Sequence, residues 1–393
     1  MAQIKPEVEV FARIKVIGVG GSGKNAINHM VNSKVKGVEF VAINTDAQDL
    51  HHSLASKKIH IGKNVTRGLG TGMNPELGRR AAEETKEEIQ EAIKGADMVF
   101  IAGGFGGGTC SGAAPIVAKV AKEMGILTVG VITKPFFFEG MQRMRIAEQA
   151  LEEFRKCVDA IIVIPNDRLL SAISKDTTAK AAFGMCDDIL KQAVEGISDL
   201  ITMPGIINID FADIRAVMEN AGSALMGIGM ASGENRATDA AKMAISSPLL
   251  ELSVAGAKGV LFSIAGGDDL TMFEIQDAAK LITESIDPNA KVIFGTVHDD
   301  RLKKNEIKIT VIASGFPDSA IKKTLFQSGP AKEEKRGAIF NVIPQRSEPK
   351  PEPIVEEKKA VQTSAQPAPA SSHDEDDGDW GAVPAFLRRS KIK

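Results

Sequence analysis

The chain alternates short runs of β-branched and aliphatic residues with longer stretches in which apolar residues recur every three or four positions. The short runs predict strands at 13–19, 38–44, 96–102, 127–133 and 159–165. The longer stretches predict helices near 22–32, 75–94, 113–124 and 139–157. This regular alternation of strand and helix predicts a parallel sheet that is covered by helices on both faces.

The second half of the chain begins with one long helical pattern over 178–201 and continues as another α/β block. Its predicted strands and helices are at 259–266, 290–297, 306–314, 235–246 and 271–285. We therefore expect an α/β fold with an N-terminal Rossmann-like domain, a long central helix and a smaller C-terminal α/β domain. The predicted boundaries of these parts are 12–177, 178–202 and 203–316.

The composition changes after Phe316. Residues 317–372 are rich in Pro, Glu, Lys, Ser and Ala, so we predict a disordered linker that cannot bury enough apolar surface to fold. Residues 373–393 pass from acidic through apolar to basic. We interpret this last stretch as a partner-binding tail peptide with "PAFLRR" (384–389) as its anchor, which folds when it binds.

Overall composition excludes several classes of protein. The net charge of −3 gives no basic field for nucleic acid. The three cysteines are isolated and form no CxxC or His/Cys cluster, which indicates a reducing compartment and no metal site built by the protein. The first residues lack the pattern of a signal peptide, and no apolar stretch approaches the length of a membrane span. We expect a cytoplasmic protein that does not insert into membranes.

Two glycine-rich segments carry the candidate chemistry. "GGFGGGTCSG" (103–112) follows the strand at 96–102 and precedes a helix in which Pro115 fits the first turn. "IGVGGSGKNAINHM" (17–30) begins at the end of the first strand. Exposed N–H groups at helix N-termini bind anions, and the carboxyl ends of neighbouring strands lie at one edge of the sheet. Together the segments predict an elongated polyphosphate ligand across that edge.

The first segment alone has two other interpretations. Gly18-x-Gly20-x-x-Gly23 matches the dinucleotide fingerprint, but the acid of the second strand, Glu39, stands near its start and not at its end. Gly18-x₄-Gly23-Lys24 is close to a P-loop, but Asn25 occupies the place of the hydroxyl that binds Mg²⁺. Neither interpretation uses the second segment. An NAD-dependent oxidoreductase therefore stays as a remote alternative.

Five motifs in order make the chain resemble the tubulin/FtsZ family over residues 12–316. "GGGTCSGAAP" (106–115) is similar to the tubulin signature, and four further segments resemble FtsZ, the cell-division branch of the family: "GLGTGMNPELGRRAAEE" (68–84), "KPFFFEGMQR" (134–143), "IPNDRLL" (164–170) and "NIDFADIR" (208–215). "PAFLRR" also resembles the terminal peptide of that family. Cys110 and Ser22 stand where the family commonly has glycine. The flanking glycines are retained, so we expect Cys110 to adopt an ordinary backbone conformation and Ser22 to donate to a phosphate.

The resemblance implies a GTP site. It implies that Glu139 and Arg143 contact ribose or phosphate, although their spacing alone favours an ordinary ion pair. Phe183 would stack on guanine while the Asp187 carboxylate accepts from N1–H and N2–H₂, although their spacing alone favours a core phenylalanine beside a solvated acid. Asn166 would touch the sugar. The full set of implied nucleotide-binding residues is Gly20, Gly21, Ser22, Gly23, Lys24, Asn25, Asn44, Thr71, Gly72, Gly106, Gly107, Gly108, Thr109, Cys110, Ser111, Gly112, Glu139, Arg143, Asn166, Phe183 and Asp187.

The carboxylates that would activate water are implied to come from a second subunit. In the family, subunits stack head to tail, so Asp210, Asp213 and Asn208 of one molecule would complete the GTP site of the next. Spacing alone leaves a simpler interpretation open, in which Asp210 is a helix N-cap and Asp213 the third helical residue. Mg²⁺ would be held mainly through phosphates and water.

The function implied is that of a GTPase that assembles into protofilaments and forms the ring at the midcell division site. Hydrolysis would be activated by self-assembly. The segment 384–389 would bind membrane-attached adaptors and other division proteins. A tubulin-like partition or cell-shape filament is the alternative, and we expect such a protein to lack the "PAFLRR" tail.

Overall fold

A computed structural model describes residues 12–170, 176–247, 256–299 and 301–316. The predicted linker (317–372) and tail peptide (373–393) lie outside the described residues. The α/β fold class with a mostly parallel sheet is confirmed. The domain boundaries remain a prediction.

The strands of the described residues form one continuous sheet in the order β3-β2-β1-β4-β5-β6-β7-β10-β8-β9. Strands from β3 to β7 pair in parallel, β10 pairs antiparallel with both of its neighbours, and β8 pairs in parallel with β9. The strands are β1 (Ile14–Val19), β2 (Val38–Asn44), β3 (Lys57–His60), β4 (Met98–Gly104), β5 (Leu127–Lys134), β6 (Ala160–Pro165), β7 (Gly222–Ser232), β8 (Gly259–Gly266), β9 (Lys291–His298) and β10 (Glu306–Ser314).

Helices cover both faces of the sheet. They are α1 (Gly20–Asn32), α2 (Ala47–His51), α3 (Lys63–Thr66), α4 (Pro75–Glu84), α5 (Lys86–Ile93), α6 (Gly108–Glu123), α7 (Met141–Arg155), α8 (Asn166–Leu170), α9 (Ala179–Thr202), α10 (Phe211–Met218), α11 (Arg236–Ile245) and α12 (Met272–Glu284). Among the described residues, none of these helices is both long and apolar enough to cross a lipid bilayer.

The apolar residues of the parallel strands belong to two hydrophobic cores, one on each face of the sheet. Successive residues of β1 point to opposite faces, so that Val16 belongs to the core that includes residues of α1 and α9, while Ile17 belongs to the core that includes residues of α4, α6 and α7. Both side chains are fully buried. This explains why these strands are almost continuously apolar.

Two predicted helices differ from the structure by more than a residue or two at their ends. The stretch predicted near 75–94 is interrupted at Thr85, whose hydroxyl donates to the Ala81 carbonyl and accepts from the Gly62 N–H. Such side-chain bonds compete with the helical ladder. The prediction near 113–124 is wrong at its start, because α6 begins at Gly108 and Pro115 lies inside it. The start of α6 was not predicted, because it contains Gly108 and Gly112 and glycine has a low helix propensity.

Candidate nucleotide-binding site

A cleft of about 380 Å³ lies at the carboxyl ends of β1, β4, β5 and β6, beside the N-terminal half of α9. Its volume is within the range of small-molecule sites. It is lined by Gly20, Gly21, Ser22, Asn25, Thr71, Gly104, Phe105, Gly107, Gly108, Thr109, Cys110, Thr133, Pro135, Glu139, Arg143, Asn166, Phe183, Cys186, Asp187 and Leu190. Both glycine-rich segments therefore face the same cavity.

The first glycine-rich segment becomes the opening turn of α1. Gly20 has φ +74°, a conformation that favours glycine. The Ser22 hydroxyl accepts from the Gly104 N–H at 2.7 Å, which ties this turn to the end of β4. Its own proton stays available to a ligand in the cleft. Gly23 does not line the cleft, because it packs against the Ala102 carbonyl.

The second segment needs glycine for two different reasons. Gly106 has φ +102°, and its N–H donates to the Ser111 hydroxyl at 2.9 Å. A side chain at Gly112 would collide with the Pro75 carbonyl of α4. Gly107 is different, since no protein atom lies within 4 Å of where its Cβ would be. The backbone there is open to a ligand, directly before the unpaired N–H groups at the start of α6.

Cys110 lies within α6 and has no positive φ, as its retained glycine neighbours suggested. Its thiol is buried, and this burial raises the pKa of the thiol far above its ordinary value. Cys110 therefore stays a protonated packing residue in the wall of the cleft, close to Gly103.

Three threonines bring the neighbouring loops together at one end of the cleft. The Thr109 hydroxyl lies 2.8 Å from the Thr45 hydroxyl and 3.3 Å from the Thr71 hydroxyl. Thr71 and Thr109 line the cleft, whereas Asn44 is buried behind it. The loops 44–46 and 71–74 thus meet at the start of α6.

Glu139 and Arg143 form an ion pair and also line the cleft. The Arg143 guanidinium donates to Glu139 Oε2 at 2.9 Å, and Glu139 Oε1 accepts from the Phe136 N–H at 3.0 Å. Both interpretations of this pair are therefore compatible with the structure.

The helix α9 contributes Phe183 and Asp187, one turn apart, to the same cleft. Phe183 is 47% exposed and its ring makes a T-shaped contact with Phe136, so part of the aromatic side chain is accessible from the cleft. Burial raises the pKa of Asp187 to about 6, and nearby His29 partly opposes this shift. An accessible aromatic ring beside a desolvated carboxylate suits a planar base that offers adjacent N–H donors.

Asn166 stands at the start of α8, directly after β6. It is 6% exposed and lines the cleft. Its Oδ1 atom is buried without a hydrogen-bond partner. A buried acceptor left unpaired is costly, which is expected where a ligand supplies the donor.

Lys24 is not at the cleft surface, although it was among the implied nucleotide residues. Its ammonium group pairs with Asp49 Oδ1 at 2.6 Å, and the residue is 8% exposed.

The other implied residues that do not line the cleft are Gly23, Asn44, Gly72, Gly106, Ser111 and Gly112. Sequence reasoning missed six lining residues, namely Gly104, Phe105, Thr133, Pro135, Cys186 and Leu190. Their positions directly after β4 and β5 or on α9 beside Asp187 could have indicated some of them.

The acidic loop lies beyond the other end of α9. From Asp187 to Thr202 the helix rises about 22 Å, at about 1.5 Å per residue. Asp210 is the N-cap of α10 and accepts from the Ala212 N–H, and Asp213 is in the first turn. Asn208 accepts from the Gly205 N–H at 2.8 Å. All three side chains are exposed, and none lines the cleft.

Residues 13–174 match the family model of the Tubulin/FtsZ GTPase domain, and residues 222–317 match that of the FtsZ C-terminal domain. FtsZ from M. jannaschii, solved as an empty dimer, is 44% identical with a TM-score of 0.75, and the match covers 78% of this chain and 89% of that chain. A mutant of FtsZ from the same organism is 45% identical with a TM-score of 0.74, covering 78% and 92% of the two chains.

A more distant match shows likeness of fold alone. CetZ2 from Haloferax volcanii, solved as a protofilament with GTPγS bound, is 20% identical with a TM-score of 0.68, covering 80% of this chain and 96% of that chain. Given the identity and coverage of the M. jannaschii proteins, this chain belongs to the FtsZ family and is a tubulin-like GTPase.

Proposed function

We propose that this protein binds GTP in the 380 Å³ cleft, assembles head to tail into protofilaments, and forms the ring at the division site. The observation that carries the proposal is the composition of the cleft, which is lined by the N-termini of two helices together with Phe183 and Asp187. Membership of the FtsZ family removes the NAD-dependent oxidoreductase alternative.

We assign the parts of GTP to the cleft by the chemistry of its lining residues. The backbone N–H groups at the starts of α1 and α6 bind the phosphates, with Ser22 and Thr109 donating hydroxyls. Asn166 and the Glu139–Arg143 pair contact the ribose. Asp187 reads the guanine edge.

The cleft lacks a carboxylate for the attacking water. Among its described lining residues, the carboxylates are Glu139, which is already bonded to Arg143, and Asp187, which we assign to the base. Asp210 and Asp213 are exposed and lie beyond the far end of α9. We therefore assign them to the site of the next subunit, where they orient water, and Asn208 adds a polar contact. Positioning of this kind supplies much of the catalysis in phosphoryl transfer.

The residues of the cleft are compatible with a cation that is bound through the nucleotide and not through protein side chains. No group of three or more His, Cys, Asp or Glu side chains within the described ranges is arranged so that it could hold a metal ion. Mg²⁺ would be bound through triphosphate oxygens and water, and would neutralise phosphate charge. Asp213 would help to arrange its water shell from the adjoining subunit.

A head-to-tail contact is heterologous and does not close, so it generates a filament. FtsZ from M. jannaschii has been solved as a dimer and CetZ2 as a protofilament. The higher identity to FtsZ favours the division ring at midcell over a CetZ-type filament. Binding of adaptors by residues 384–389 belongs to this proposal and rests on the tail's sequence.

The test is GTP turnover per subunit against protein concentration, with light scattering recorded in parallel. A site shared between subunits predicts a specific rate near zero that rises together with scattering. A rate that is independent of concentration would show that one subunit holds the whole catalytic site, and the roles of Asp210 and Asp213 would be wrong.

A further inference from the structure

A partly buried ion pair lies behind the first glycine turn. Lys24 is in α1, whose opening residues Gly20, Gly21 and Ser22 line the cleft. The Lys24 side chain is 10% exposed, and its ammonium group lies 2.6 Å from Asp49 Oδ1. A lysine in this place is a cation next to the wall that receives phosphates.

Asp49 lies against the same wall. Its Oδ2 atom is 3.6 Å from the position that a Cβ of Gly21 would occupy. The same atom accepts from Asn44 Nδ2 at 2.8 Å, and Asn44 Oδ1 accepts from the Thr45 N–H at 2.9 Å. One carboxylate therefore holds the lysine and anchors the loop that leads to the threonine cluster.

The lining of the cleft carries little free positive charge. Of the described residues that line it, Arg143 is the one cation, and it is paired with Glu139. Because Lys24 is neutralised in the same way by Asp49, the phosphate wall relies on backbone N–H groups and hydroxyls.

We propose that Asp49 is a positioning residue that limits the affinity of the site for phosphates by holding and neutralising Lys24. The inference rests on the proposed function, in which GTP phosphates occupy this wall. Without Asp49, the lysine would present its full charge to the nucleotide. With Asp49, binding stays weak enough for GDP to leave.

Removing one charge of the pair at a time should change GTP affinity in opposite directions. Asp49→Asn leaves the charge of Lys24 uncompensated, and GTP should bind about five- to tenfold more tightly by Coulomb attraction at the dielectric of a partly buried site. Lys24→Gln leaves the Asp49 carboxylate beside the phosphates, and GTP should bind more weakly by a similar factor. The double variant carries neither charge, so its affinity should return to within about twofold of wild type.

The experiment measures dissociation constants for GTP, GDP and guanosine by competition against a fluorescent GTP analogue, with the full chain. The effect should be largest for GTP, smaller for GDP and absent for guanosine, which carries no phosphate charge. Glu274→Gln is the matched control, since Glu274 also lies 2.6 Å from a buried cation, Arg236, and does not line the cleft. It should leave all three constants unchanged.

If Asp49→Asn and Lys24→Gln both weaken GTP binding, the pair is only structural and the inference is wrong. An equal effect on guanosine would also overturn it, because a change of loop shape would then be the cause. If one single variant fails to fold, the other and the double variant still give the sign. A wild-type protein that does not bind GTP would overturn the proposed function and this inference together, whereas same-sign variants overturn the inference alone.

Discussion

The Asp210 carboxylate accepts a hydrogen bond from the backbone N–H of Ala212 at 3.2 Å, so that it caps α10 while remaining exposed. The two interpretations of this residue, an N-cap and a catalytic group for the next subunit, are therefore compatible. Variants can separate them, because asparagine caps a helix about as well as aspartate but carries no charge.

We expect Asp210→Asn to unfold at nearly the wild-type temperature and to lose turnover by about 100-fold, since a positioned polar group typically contributes that much. Asp210→Ala should lose the same turnover and, in addition, about 1 kcal/mol of stability through the missing cap. GTP binding should persist in both variants. The measurements are the thermal unfolding temperature and the GTP turnover at a protein concentration high enough to give light scattering. Together they distinguish a capping role of Asp210 from a catalytic one. Normal turnover in Asp210→Asn would leave capping as the only role of the carboxylate.

The raised pKa of Asp187 predicts a pH dependence. The carboxylate must be ionised to accept from guanine, so GTP affinity should fall as the pH is lowered through about 6. The affinity of Asp187→Asn should be weak and nearly independent of pH between 5 and 7. Equilibrium titrations at constant ionic strength measure both. A pH-independent wild type would contradict the assignment of Asp187 to the base.

In the nucleotide-free protein, the Asp187 carboxylate should make the free energy of unfolding depend on pH in the opposite direction to GTP affinity. Because burial raises its folded pKa above the ordinary value of about 4, the native state binds more protons than the unfolded state between about pH 4 and 6, and its stability should decline as the pH rises through that window. Asp199, whose pKa is also raised to about 6 by burial, contributes in the same direction. The comparison with Asp187→Asn isolates one group: urea unfolding should show the variant gaining stability relative to wild type from pH 5 to pH 7. A constant difference between the two proteins would contradict this prediction.

Base specificity offers a sharper test of Asp187. A carboxylate accepts from the two adjacent donors of guanine, N1–H and N2–H₂. Xanthine keeps N1–H but has a carbonyl at C2, so an asparagine could accept from the first group and donate to the second. We expect Asp187→Asn to lose at least about tenfold in GTP affinity and to gain in XTP affinity, because each mismatched hydrogen bond costs about 1 kcal/mol or more. Loss of both affinities would place Asp187 away from the base.

Much of the fold could be predicted from periodicity, and the failures have physical causes. The bounds of β2, β8 and β10 agree with the predictions because these strands are apolar runs with clear limits. The strand β7 was missed because its three glycines, Gly222, Gly227 and Gly229, obscure the pattern. One of them, Gly229, is required by the close approach of α11, since a Cβ there would collide with the Ala240 carbonyl.

The candidate site also has features that could be predicted from the sequence and features that could not. The glycine turns and the α9 pair could be found because their motifs are contiguous or one helical turn apart. The pairing of Lys24 with Asp49 could not be predicted, because the two residues are 25 positions apart and only the fold brings them together. The unpaired Oδ1 of Asn166 could not be predicted either, since satisfaction of a polar atom depends on every neighbour.

That unpaired atom supports the last prediction. Asn166→Leu removes a buried acceptor that has no partner in the nucleotide-free protein, so its stability should be unchanged or higher. GTP affinity should fall by about tenfold, the value of one hydrogen bond to ribose. Wild type should prefer GTP over 2′,3′-dideoxy-GTP, and the variant should bind the two more equally. The matched control is Asn28→Leu, because Asn28 donates to the His52 carbonyl and accepts from the Leu54 N–H, and this variant should lose stability and keep the preference for GTP. A destabilised Asn166→Leu that still prefers GTP would mean that the amide serves the fold and not the ribose.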